Sequence, residues 1–132
     1  MRSSKARIIL SLATLLGMFF GVQNLQAADG VDVKHAQSMS KQGALLLDVR
    51  EVSEYAEVHA PNATLIPLGE ISTRLIEISA YKDKPIAVIC RSGRRSAKAV
   101  QLLQDAGYSQ VSNVNGGMSA WENEGLPVIR KQ

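Results

Sequence analysis

The chain has one cysteine, Cys90, and two histidines, His35 and His59. A lone cysteine closes no internal disulfide and builds no cysteine-based metal site. The histidines are too far apart in sequence to show ligand spacing, so neither a resident metal nor another cofactor is expected. Internal repeats and low-complexity tracts are absent, which excludes a repeat architecture. The apolar run Ile8–Phe20 holds 13 residues, short of the ~20 that a spanning helix needs.

That run follows a basic start, Arg2, Lys5 and Arg7, and precedes the polar stretch GVQNLQAADG. A basic region, an apolar core and small residues at a cut site make a secretory signal peptide. The expected signal is residues 1–27, cut after Ala27, with Ala28 as the second choice and an uncleaved anchor as the alternative. Residues 28–132 are then the mature domain, and its expected location is the periplasm. All twelve acidic residues follow residue 27, and twelve of the fifteen basic residues remain there. The mature net charge is therefore about zero, which argues against electrostatic binding to nucleic acid or to an anionic membrane. Positive charge persists locally in Arg91, Arg94, Arg95 and Lys98.

The mature length suits one domain with its own core, expected as a monomer. Ala44–Val49 and Ile86–Cys90 are near-continuous apolar runs of the kind buried on both faces of a parallel sheet. Ala63–Pro67 and Gln110–Val114 read as shorter strands. Leu68, Ile71, Leu75 and Ile78 mark one helical face, and Ala99, Leu102, Leu103 and Ala106 another. Val33–Gln42 and Met118–Asn123 complete the helices, closed by Gly43 and by Gly125 and Pro127. Ser96 is the expected N-cap of the helix that carries Ala99, and Gly107 its stop. The expected fold is α/β, a mainly parallel sheet of about five strands with helices on both faces.

This order places Cys90 at the carboxyl end of a buried strand, ahead of a helix, where α/β sheets hold their sites. A strand–loop–helix turn directs N–H groups inward, and Gly93 lets the loop curl. Such a cradle suits an anion. Free cysteine titrates near 8.5, and helix N-termini and cations lower that value and raise the nucleophilic thiolate. Guanidinium groups pair with oxyanions. The stretch CRSGRRS therefore predicts Cys90 as nucleophile, with Arg91, Ser92, Gly93, Arg94, Arg95 and Ser96 holding a small anionic substrate. The plainer reading is an inert buried cysteine beside a solvated basic turn.

Four stretches in order resemble the single-domain rhodaneses, the thiosulfate-type sulfurtransferases: LLLDVREVSEY (Leu45–Tyr55), HAPNATLIPLGEI (His59–Ile71), CRSGRRS, and NVNGGMSAWENEGLPV (Asn113–Val128). With the export signal, the chain looks most like the small periplasmic members. The resemblance implies a rhodanese-like domain in which Cys90 takes the sulfane sulfur of thiosulfate as a persulfide. Cyanide, a thiol or a protein thiol would then accept it. Two departures stand out. Val58 precedes His59 where the family usually has Gly, and Asn62 replaces a common Gly; Asn tolerates the left-handed conformation such a turn needs.

Three rivals use the same loop. A cysteine phosphatase or arsenate reductase needs five residues between cysteine and arginine, whereas four separate Cys90 from Arg95. A sulfur carrier or docking module would use the loop without turnover. An oxidation sensor would lack a resolving partner for Cys90. Among the remaining residues, Asp48 and Arg50 read as a structural pair, His59 as turn and packing, and Trp121 as core. Gly116-Gly117 reads as a tight turn near the cysteine loop, and Lys98 as a rim cation.

Overall fold

The computed structural model describes residues 30–132. The expected signal peptide lies outside the described residues. The two apolar runs form β1 (Leu45–Asp48) and β4 (Ile86–Ile89), and every residue in both strands is buried. With β3 (Ala63–Leu65) and β5 (Val111–Asn113) they make a four-stranded sheet in the order β3-β1-β4-β5. All three pairings are parallel.

Alternation along the strands feeds two cores. Leu45, Leu47, Ile86 and Val88 join one, together with Ile71, Ile78, Ala99 and Leu103. Leu46, Ala87 and Ile89 join the other, with Val33, Ala36, Met118 and Trp121. Helix α3 (Arg94–Asp105) therefore covers one face, while α1 (Val33–Lys41) and α4 (Gly117–Asn123) cover the opposite face. Each fully buried Leu or Ile stabilises by roughly 1.5–3 kcal/mol, and continuous apolar strands collect that gain on both sides. Asp32 caps α1 by accepting the His35 N–H at 2.7 Å.

Three elements escaped the sequence reading. They are α2 (Val52–Glu57), β2 (Val58–His59) and β6 (Ile129–Arg130). The last two pair antiparallel as a ribbon outside the main sheet. Helix α2 buries no residue, so no apolar stripe announces it. Its start is a capping box, with Glu51 and Glu54 each bonding the other's backbone.

The expected helix through Leu68–Ile78 is two 3₁₀ segments, Leu68–Thr73 and Leu75–Tyr81. The spacing explains the correction. Leu68 and Ile71 are three residues apart, as are Leu75 and Ile78, and three residues make one 3₁₀ turn. Arg74, at φ −120°, breaks the run between them. Asn62 adopts φ 63°, so the turn ahead of β3 takes the left-handed form that Asn allows.

Asp48 and Arg50 form a buried ion pair at the end of β1, with side chains 0% and 1% exposed. Arg50 Nη2 donates to Asp48 Oδ2 and to the Val58 carbonyl, both at 2.7 Å. Nε donates to Asp48 Oδ1 at 3.0 Å, and Nη1 to the Glu54 carbonyl at 3.4 Å. The pair ties β1 to α2 and β2, which lack a core of their own. Asp48→Ala would strand a buried guanidinium and should cost about 3–5 kcal/mol in urea unfolding. A loss below 1 kcal/mol, on the order of an exposed pair, would show that water reaches Arg50.

Candidate active site

The sheet order places β1 beside β4, although β3 comes between them in sequence. Chain direction therefore diverges at the β1/β4 border, and the crevice at the carboxyl ends of these strands is where such sheets bind ligands. Asp48 is in register with Ile89, so Cys90 emerges beside the Asp48–Arg50 pair.

Cys90 is 1% exposed. Gly93 takes a left-handed conformation, φ 106°, and its N–H donates to Cys90 Sγ at 3.0 Å. That turn starts α3 at Arg94, two residues earlier than Ser96. Ser96 is thus not the N-cap. It lies inside the first helical turn, buried, with Oγ 3.2 Å from Sγ. Gly93 serves at the cap because a side chain there would resist positive φ.

The loop is held from behind. Asn113 Nδ2 donates to the Gly93 carbonyl at 3.1 Å. Gly116 and Gly117 turn with φ 77° and 54°, and α4 begins against the loop. Met118 N donates to the Cys90 carbonyl at 2.8 Å, and Ser119 N to the Arg91 carbonyl at 3.1 Å. A Cβ at Gly117 would lie 2.4 Å from the Cys90 carbonyl oxygen, so only glycine permits this approach. With the carbonyls occupied behind, loop N–H groups are free to face the sulfur.

Burial is the largest influence on the thiol and opposes ionisation. The Ser96 hydroxyl and the N–H groups of Ser96, Gly93 and Ser92 outweigh it, and the thiol sits below its ordinary value. The sequence assigns that task jointly to loop N–H groups, the helix N-terminus and nearby cations, and the cations are not among the groups that lower the thiol's value. Directed hydrogen bonds supply it.

The arginines divide. Arg91 and Arg94 are exposed. Among the described residues, no carboxylate pairs with either of them or with Lys98. Arg95 binds Glu54 of α2 with both Nη groups, at 2.6 and 2.9 Å. The Arg95 hydrogen bond holds the Glu54 carboxyl down at about 2, against burial that would raise it. Arg95 in turn is held above its ordinary value, first by Glu54 and to a lesser degree by a charge on Cys90. Glu54 and Asn113 were not anticipated. Glu51-x-x-Glu54 is a recognisable capping spacing, whereas nothing local marks Asn113.

The residues read as structural are placed accordingly. His59 stacks on Tyr55, with ring centroids 3.8 Å apart and planes at 5°. Its Nδ1 lies 2.8 Å from the Tyr55 carbonyl. Trp121 is buried, and its Nε1 donates to the Pro127 carbonyl at 2.9 Å.

The arrangement is similar to known proteins over most of its length. A profile of the rhodanese-like domain family matches residues 32–124. A sulfurtransferase of Allochromatium vinosum is 40% identical over 85 residues, 64% of this chain and 78% of that one. The thiosulfate sulfurtransferase GlpE of Vibrio cholerae is 33% identical over 99 residues, 74% and 92% of the two chains. The crystal structure of a rhodanese-related protein from Thermoplasma volcanium superposes with a TM-score of 0.68 at 32% identity, covering 76% and 96%. With its parallel sheet, its cysteine loop and these matches, the chain belongs to the rhodanese-like domain family.

Proposed function

We propose that the protein is a sulfurtransferase that moves the sulfane sulfur of thiosulfate, or of a similar small anionic donor, through a persulfide on Cys90. The observation that carries this reading is the sulfur itself, bonded by Gly93 N–H and Ser96 Oγ at the mouth of a helix. A thiolate so held is a nucleophile. Family membership supports the reaction class, and the four residues between Cys90 and Arg95 favour it over phosphate chemistry.

Cys90 thiolate attacks the outer sulfur of thiosulfate, forming a sulfur–sulfur bond. The donor's own sulfur–sulfur bond breaks, and sulfite leaves with its electron pair. The persulfide keeps one negative charge, which the loop N–H groups hold. A thiophilic acceptor, cyanide or a thiol, then attacks the outer sulfur, and the electron pair returns to Cys90. Because the nucleophile is already a thiolate, no proton has to be abstracted from it; among the described residues Gly93 N–H and Ser96 Oγ bond the sulfur. Arg91 on the loop and Arg94 at the start of α3, both exposed, are arginines available to the donor's oxygens. Because Cys90 is so deeply set, a donor must present a slender terminal sulfur.

Incubating the reductant-free protein with thiosulfate should add the mass of one sulfur atom at Cys90, and thiosulfate–cyanide turnover should follow. Cys90→Ser should reduce both to background; turnover that persists in this variant sinks the mechanism. Without an adduct on the parent protein, a docking role for the loop becomes the better account.

The alkylation rate of Cys90 against pH should show a midpoint below that of a free thiol. Ser96→Ala removes a hydrogen bond that favours the thiolate, so its midpoint should move up and its rate at neutral pH should fall. An unchanged midpoint would show that backbone N–H groups suffice.

Residues 1–27 are read as an export signal that sends the domain to the periplasm, on the strength of their basic, apolar and small-residue order. Sequencing of the exported protein should begin at Ala28, or at Asp29 for the later cut. Retention of the whole chain in the cytoplasm would overturn the assignment.

A further inference from the structure

The Glu54–Arg95 pair is not needed to build the sulfur's hydrogen bonds, yet it ties α2 to the first turn of α3, directly after the cysteine loop. It joins residues 41 apart in sequence. Glu54 is pinned three ways. Its Oε1 and Oε2 meet the two Nη groups of Arg95. Oε1 also accepts the Glu51 N–H at 3.2 Å. Its own carbonyl accepts Arg50 Nη1 at 3.4 Å. The two side chains are only 33% and 27% exposed, which limits screening by water.

A guanidinium reads an oxyanion best through two parallel N–H bonds. In Arg95 the Nη pair is already taken by a carboxylate. We infer that Glu54 sets the charge preference of the site: by occupying both Nη groups of Arg95, it leaves donor recognition to Arg91, Arg94 and the loop N–H groups, and disfavours donors carrying a second full negative charge. Thiosulfate, a dianion, is then held more weakly than three free arginines would hold it, and monoanionic or neutral sulfane donors are penalised less. The biological meaning rests on the sulfur-transfer reading of Cys90, but the discrimination applies to any anion approaching the sulfur.

Alkylation tests it without turnover. Iodoacetate and iodoacetamide have nearly the same shape and differ by one negative charge. In both, the Cys90 thiolate forms a sulfur–carbon bond and iodide leaves with the electron pair of the carbon–iodine bond. Because both reagents meet the same thiolate, the ratio of their rates cancels any change in thiol ionisation. Glu54→Gln keeps the shape and removes the charge. It should raise the iodoacetate/iodoacetamide ratio by about three- to tenfold at low salt, with the gain shrinking as salt rises. The KM for thiosulfate should fall by a similar factor, with kcat held within about twofold, as for a change in binding alone. The double variant Glu54→Gln/Arg95→Gln removes both charges and should return the ratio to within about twofold of the parent, as expected for charges that cancel.

An unchanged or lower ratio in the single variant overturns the inference. So does a double variant well below the parent, since Arg95 would then be attracting anions despite Glu54. Should the single variant fail to fold by circular dichroism, Arg95→Gln, which leaves the Glu54 charge unpaired, should lower the ratio below the parent at low salt, and an unchanged ratio there overturns the inference. A raised ratio in a protein that never turns over thiosulfate would sink the transferase reading and leave this inference standing. Turnover with an unmoved ratio would do the reverse.

Discussion

The site depends on one close backbone approach. The N-terminus of α4 meets the loop after β4, and Met118 N–H binds the Cys90 carbonyl at 2.8 Å. Gly117 permits this contact, because any Cβ there would collide with the Cys90 and Arg91 backbone. Once those carbonyls are occupied from behind, the loop can curl through Gly93 and offer its N–H groups to the sulfur. The cradle is therefore assembled from two distant segments, one carrying the cysteine and the other holding its peptide planes. Without α4, the orphan donors at the start of α3 would have no fixed relation to Sγ.

Electrostatics at this site is a matter of directed hydrogen bonds more than of nearby charge. Burial penalises the thiolate, and the bonds from Ser96, Gly93 and Ser92 prevail. The cations are arranged by separate rules. Arg50 is buried against Asp48 and holds α2 and β2 in place. Arg95 is held by Glu54 of the helix that Arg50 anchors. A line of alternating charges thus runs from the end of β1 to the mouth of the loop, and of the three arginines after Cys90, Arg91 and Arg94 are left open to an anion. Counting arginines overstates how many can meet a donor, because a carboxylate from another element spends one of them.

Much of the fold was legible, for identifiable reasons. Leu45–Asp48 and Ile86–Ile89 are apolar at every position or nearly so, and only burial on both faces asks for that. The strand–cysteine–helix order put Cys90 at the end of a strand without further help. Asn62 and Gly93 signalled left-handed turns through their side chains, or the lack of one. The 3₁₀ segments were harder, since apolar spacings of three and four serve both helix types until Arg74 is seen to interrupt them. Helix α2 and the β2–β6 ribbon were invisible, because neither carries a long periodic apolar pattern.

From the sequence alone came the parallel α/β core, the cysteine's address and the loop length, all properties of residues close together in the chain. Periodicity, turn chemistry and spacing are local, so one strand of text contains them. Tertiary structure decided the rest. It moved Ser96 from helix cap to sulfur partner, brought Asn113 and Gly117 behind the loop, and set Glu54 on Arg95 across 41 residues. These contacts arise only when separate elements settle on a common core, and the side chains that meet there carry no mark of their partners in sequence.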